Sequence, residues 1–187
     1  MKQGRIIIIT GPPGTGKTTT ASLIAAQSNL EKSVHMHTDD FYHYLSKGAI
    51  PPYLPGSEMQ NLVVIEAFSE AARRFVAGGY DVIVDGIIGP WFLSPWLNLA
   101  KHGCLVHYFI LRASKEETLK RAVERTKLNR ETNVELVETM WHQFTNLGCY
   151  EPNVIDTASQ SIEETVSIIQ ERLKNEVNLL TSSEMSK

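Results

Sequence analysis

One octapeptide constrains this chain more than any other feature. Gly11-Pro12-Pro13-Gly14-Thr15-Gly16-Lys17-Thr18 fits G-x-x-x-x-G-K-[ST] and lies between a β-branched run, Arg5 to Thr10, and a helical pattern from Lys17 to Ala26. The unalternating run suits a strand buried on both faces. A loop leaving such a strand wraps its amides around phosphate oxygens when glycines allow close approach and positive φ. The helix that follows adds the partial positive charge of its N-terminus. In this arrangement the lysine reaches the β- and γ-phosphates and the next hydroxyl binds Mg²⁺. The expected nucleotide-binding residues are therefore Gly11, Pro12, Pro13, Gly14, Thr15, Gly16, Lys17, Thr18 and Thr19.

Beyond the loop, strand-like and helix-like segments alternate. Ser33 to Thr38, Tyr80 to Asp85 and Leu105 to Leu111 read as further strands, and Asn153 to Asp156 as a short last one. Glu58 to Ala77 is amphipathic, with Leu62, Ile65, Ala72, Phe75 and Val76 on one face and Glu66, Glu70, Arg73 and Arg74 opposite. Ser114 with Glu117, and Ser161 with Glu164, are capping boxes opening two later helices. The second of these carries Ile162, Val166, Ile169, Leu173 and Val177 at helical spacing, and another helix covers about Val134 to Phe144. No repeat, charge block or linker divides residues 1–179, which read as one domain, whereas residues 180–187 lack a pattern and are expected to fray. Strands separated by helices of this length imply a parallel sheet covered on both faces, an α/β fold.

A guanine-reading Asn-Lys-x-Asp does not occur. Ile83-Val84-Asp85 has the form of a magnesium-side aspartate, but Gly86 follows it where hydrolysing ATPases commonly carry a water-polarising glutamate. That omission points to phosphoryl transfer to something other than water. A hydroxyl acceptor needs a positioned base, and Thr38-Asp39-Asp40-Phe41-Tyr42 stands at the end of the second strand. Carboxyl ends of parallel strands line the crevice where such sheets bind ligands. Asp39, preferred over Asp40, is expected to accept or orient the acceptor proton. Thr18 is expected on Mg²⁺, with Asp85 or an aspartate at 39–40 behind its waters. Seven of the 18 basic residues fall between Arg112 and Arg130, against three acids. Arg121 and Arg125, four apart, share a helix face. A lid over about 121–133 is expected to bring them over the phosphates.

The segments leaving strands two and three, Asp39 to Ser57 and Gly86 to Trp96, contain one basic residue, Lys47. An acceptor bearing phosphate or several carboxylates would need arginine forks there. The segments hold aromatics instead, and Phe41, Tyr42, Tyr53, Trp91 and Phe92 are expected to line the acceptor site together with Asp39. That suits a neutral or weakly charged organic alcohol. A net charge of −3 gives no general attraction for nucleic acid or anionic membrane. No apolar run approaches a membrane span or a signal peptide, and Cys104 and Cys149 form neither a disulfide framework nor a zinc site by spacing. A cytoplasmic location is expected. His35, His37 and Asp39 alternate on one strand face, a metal-like spacing set aside in favour of ordinary strand histidines.

Together the P-loop, Asp39, Leu119 to Arg125 and Asp156-Thr157-Ala158-Ser159 resemble the P-loop small-molecule kinases, such as shikimate kinase, gluconate kinase and chloramphenicol phosphotransferase-like proteins. The TDDFY string also looks like the strand-two aspartate of uridine and pantothenate kinases. The resemblance implies ATP as phosphoryl donor and a three-layer fold with five parallel strands in the order 2-3-1-4-5. It also implies an adenine-side loop that includes Asp156 and Thr157. Shikimate kinase's second glycine-rich motif is not evident after Asp85. The implied activity is ATP- and Mg²⁺-dependent transfer to a small-molecule hydroxyl. The rival readings are a nucleoside or nucleotide kinase and an ATP-binding regulatory or toxin-like module.

Overall fold

The computed structural model describes residues 3–124 and 134–181. Five parallel strands, β1 (Arg5–Thr10), β2 (Ser33–His37), β3 (Asp81–Asp85), β4 (Leu105–Arg112) and β5 (Val154–Asp156), form one sheet in the order β2-β3-β1-β4-β5. This is the order that the resemblance implies. The helices are α1 (Lys17–Ala26), α2 (Thr38–His43), α3 (Glu58–Ala77), α4 (Ser94–Lys101), α5 (Lys115–Glu124), α6 (Val134–Gln143) and α7 (Ile162–Lys174). No described helix is long and apolar enough to cross a membrane.

Strand alternation sorts the core into two layers. Ile6 and Ile8 of β1 join Val82, Val84, Tyr108 and Ile110 on one sheet face, where Ile65 and Phe68 of α3 and Trp96 of α4 cover them. Ile7 and Ile9 join Ile83, Phe109 and Leu111 on the other, against Ala21 and Ile24 of α1 and Val166 and Ile169 of α7. An unalternating Ile6 to Ile9 run is what a central strand with two covered faces requires. All four isoleucines are fully buried.

Three expectations need correction. The buried stripe of α3 is Asn61, Val64, Ile65, Phe68, Ser69, Ala72 and Val76, so Leu62 and Phe75 lie on its flank, each 37 % exposed. The ring of Phe75 packs edge-on against Tyr80 instead of entering the sheet. The last helix stops at Lys174, and Val177 lies beyond it. Glu176 and Asn178 adopt left-handed backbone (φ 53° and 63°) and turn the chain back. The tail is then bound through its first residues. Tyr108 N–H donates to Asn178 O at 2.9 Å, Leu180 N–H donates to Val106 O at 2.8 Å, and Leu179 bridges His107 antiparallel. The reason is an unpaired edge: β5 pairs only with Ile110–Arg112, and the tail satisfies the earlier part of β4. The expected fraying at Leu180 is thus replaced by a buried side chain, and residues 182–187 lie outside the described residues.

Because Leu180 is buried in the α3-side core, Leu180→Ala should destabilise the protein by about 2 kcal/mol or more in urea unfolding. A frayed tail would leave the unfolding midpoint unchanged.

Candidate active site

The loop from Gly11 to Gly16 joins β1 to α1, and its own groups hold it closed. The Thr15 hydroxyl and the Lys17 ammonium both donate to Pro12 O, each at 2.9 Å. Lys17 is 8 % exposed, so its charge is kept in the mouth of the loop. Gly14 has φ 80°, and a Cβ there would lie 2.9 Å from Thr118 O and 3.3 Å from Arg121 Cβ. The loop therefore rests directly on α5, and only glycine permits the approach.

Asp85 ends β3 with a fully buried carboxylate. Thr18, at the start of α1, donates its hydroxyl to Oδ2 at 2.7 Å. His35 Nε2 lies 2.7 Å from Oδ1, and His37 Nδ1 lies 3.1 Å from Oδ2, the latter at an angle short of a full hydrogen bond. The parallel register explains the convergence. His37 of β2 is opposite Asp85 of β3, and His35 is opposite Ile83, so all point to the α1 face. Burial alone would raise the Asp85 pKa, but His35, His37 and Thr18 bring it well below the ordinary carboxylate range.

His37 also reaches forward. Its Nε2 lies 3.2 Å from Oδ2 of Asp39 in the first turn of α2, so one imidazole stands between two carboxylates. Asp39, and secondly Asp85, raise His37 to about 10 against the desolvation that opposes them. Asp39 is lowered, by His37 first and with Lys17 also contributing. The turn into α2 is set by Gly86. With φ 155°, a Cβ at Gly86 would stand 1.9 Å from the Thr38 hydroxyl oxygen. The residue after Asp85 thus has no room for the glutamate of a hydrolysing ATPase, because Thr38 occupies that space.

The other expected residues divide. Phe41 packs on Phe68 (ring centroids 4.8 Å) and on Tyr44, half in the core. Tyr42 is half-buried, and burial followed by the Asp39 charge raises its phenol to about 12. Tyr53 is 54 % exposed and Trp91 46 %, whereas Phe92 is packed against the α3-side core. Trp91 folds over Gly89 and meets Phe144 edge-on at 5.4 Å. The loop that carries it is pinned at Ile88, whose N–H donates to the Thr10 hydroxyl and whose carbonyl accepts from Tyr108 Oη.

Arg121 faces the loop after β5. Its Nε donates to Glu117 Oε1 at 2.6 Å and one Nη to Thr157 O at 3.3 Å. Reaching the phosphates would require it to leave both. Glu117 accordingly does not complete the expected capping box: Ser114 Oγ accepts from its N–H, but its carboxylate serves Arg121. Arg125, and the expected lid after Glu124 up to residue 133, lie outside the described residues. Two other members of the basic cluster have structural partners. Arg112 makes a bidentate pair with Glu151, and Lys115 pairs with Glu138. Asp156 Oδ1 accepts from Ala158 N–H, and Thr157 N–H donates to Arg112 O, which fixes the loop after β5, the one expected on the adenine side.

The oxygens of Thr18 and Asp85 are hard donors 2.7 Å apart beside the P-loop, a set that fits Mg²⁺. His35 and His37 are the residues that sequence reasoning set aside. Their alternation was visible, but their partner Asp85 lies some fifty residues away and is found only through the register of β2 on β3.

Residues 7–140 match the model of a family described as an AAA domain. The chain belongs to that family. It is 24 % identical over 185 residues to a cytidylate kinase of Ignicoccus hospitalis, covering 90 % of this chain and 98 % of that one. Among solved structures, it is similar to the tunicamycin resistance protein of Deinococcus radiodurans (25 % identity, 94 % and 98 % of the two chains, TM-score 0.63). It shares the fold of the Mycobacterium tuberculosis APS kinase solved with AMPPNP and APS (16 % identity, 93 % and 99 %, TM-score 0.69). This AAA-domain chain therefore sits among P-loop phosphotransferases.

The site makes stability depend on pH with a definite sign. His37 is raised in the fold, so its contribution is complete below its ordinary value of 6.5 and is lost as pH climbs to about 10. Asp39 and Asp85 are lowered, so theirs is complete above 3.8 and is lost in stronger acid. In chelator, wild-type thermal stability relative to His37→Gln should fall steadily from pH 6.5 towards pH 9. Parallel pH profiles would show that His37 is not stabilised by these carboxylates.

Proposed function

We propose that the chain is an ATP- and Mg²⁺-dependent kinase that moves the γ-phosphoryl group to a hydroxyl of a neutral or weakly charged small molecule. The observation that carries this reading is Asp39, a carboxylate at the acceptor end of the sheet that feels the Lys17 charge of the P-loop. Its pKa is lowered, by His37 first, so it is ionised at neutral pH and can orient the acceptor hydroxyl, taking the proton only as that oxygen turns acidic on bonding to phosphorus. Lys17 and the loop amides hold the β- and γ-phosphates. Thr18 and Asp85 would hold Mg²⁺, which when bound offsets phosphate charge. The acceptor O–H gives its proton to Asp39 as its oxygen bonds to the γ-phosphorus. The bond from that phosphorus to the β–γ bridging oxygen breaks, and ADP leaves with the electron pair.

The composition of the acceptor side supports an uncharged, partly apolar substrate. Lys47 is its one basic residue, and Tyr44, Ile50, Tyr53, Leu54 and Trp91 are exposed there. An antibiotic-like, sugar-derived or nucleoside alcohol fits this surface, and likeness to a tunicamycin resistance protein is in keeping with the first. A second reading, transfer to a nucleoside monophosphate, is favoured by the cytidylate kinase relative. It requires a cationic phosphate site, and Arg73 of α3 is bound to Glu70 on that helix's exposed face.

The test is ADP release from Mg-ATP in the presence of nucleosides, cytidine monophosphate, sugars, polyols and hydroxylated antibiotics. A neutral alcohol should score. Asp39→Asn should then lower kcat by about a hundredfold or more with ATP binding retained, and Lys17→Ala should also be severely impaired. Wild-type turnover by Asp39→Asn would remove the base assignment, and a response to cytidine monophosphate alone would favour the second reading.

A further inference from the structure

We propose that His37 is a positioning residue of the phosphoryl-transfer site, fixing the Asp39 carboxylate at a set distance from the Asp85–Thr18 pair. The inference rests on the reading of Asp39 as the acceptor-side base. Asp39 has a side chain 64 % exposed on a six-residue helix, and a short polar side chain in such a place ordinarily samples several rotamers. The contact from His37 Nε2 at 3.2 Å selects one of them. His37 is itself located from behind. It ends β2, its backbone is in register with Asp85, and its Nδ1 faces Oδ2 of that residue at 3.1 Å.

The same Asp85 oxygen accepts the hydroxyl of Thr18 at 2.7 Å. The P-loop helix, Asp85, the imidazole and Asp39 therefore lie in sequence, Thr18 hydrogen-bonded to Asp85 and His37 at ion-pair distance from both carboxylates. A carboxylate held to within a few tenths of an ångström from a rigid strand transfers protons far better than one free to swing. The link also distinguishes Asp39 from its neighbour: both are exposed, but Asp40 makes no side-chain contact of this kind among the described residues. Gly86 and Thr38 fix the backbone between the two partners, leaving the imidazole as the element that aims the side chain.

Amide substitutions separate the two contacts. The Gln side-chain nitrogen stands about where Nε2 stands and reaches Asp39, whereas that of Asn stands about where Nδ1 stands and reaches only Asp85. With water as the acceptor, Mg-ATP hydrolysis by His37→Ala should fall about tenfold in kcat with KM for ATP within twofold. His37→Gln should recover most of the loss and His37→Asn little of it. Equal recovery by Gln and Asn, or no loss in His37→Ala, would overturn the proposal. A double-mutant cycle of His37→Ala with Asp39→Asn, read as thermal stability in chelator, gives a result whatever the turnover. Non-additive effects support the link, and strict additivity overturns it. If Asp39→Asn hydrolyses ATP like wild type while the cycle is non-additive, the base assignment fails and the His37–Asp39 link stands.

Discussion

A carboxylate removed from water at the end of a parallel strand is tolerated only where donors meet its oxygens. Asp85 is in that position, and the donors come from two other elements, Thr18 from α1 and His35 from β2, with the His37 ring beside them at ion-pair distance. The P-loop helix, an edge strand and the start of α2 are thereby held around one buried charge. Loss of any donor would leave that charge partly uncompensated, which is why the arrangement is rigid as well as charged. Everything proposed for the reaction depends on this point, because it brings the phosphate loop and the acceptor-side carboxylate into one frame.

The same frame explains two features with separate origins. Gly86 leaves no room for a water-polarising side chain, since Thr38 packs where its Cβ would be. A site built this way carries its carboxylate, Asp39, in the first turn of α2, on the side that the proposed acceptor would enter. That side carries aromatic and aliphatic groups, so binding there draws on apolar contact more than on ion pairs. At the far end of the P-loop, α5 packs on Gly14 and directs Arg121 to the Thr157 carbonyl, which couples the loop to the turn after β5.

Much of this was legible in the sequence because it is local. The P-loop spacing, the buried Ile6 to Ile9 strand and the Ser161–Glu164 capping box depend on neighbours in the chain, and the box forms in full. The features that escaped depend on distant partners. His35 and His37 read as ordinary strand residues until β2 is placed beside β3, and Leu180 reads as tail until the unpaired edge of β4 is seen. Helix amphipathicity locates α3 but misplaces its face by part of a turn, because Phe68 and Asn61 decide the contact and Phe75 finds Tyr80.

On the proposed reading, Asp85 joins the oxygens that would hold Mg²⁺ to the P-loop. The most direct test is calorimetric binding of ADP with Mg²⁺ and with chelator, for wild type and Asp85→Asn. The Mg²⁺-dependent gain in affinity should be lost in the variant, while ADP binding in chelator stays within a few-fold of wild type. An undiminished Mg²⁺ gain in a folded Asp85→Asn protein would contradict the account.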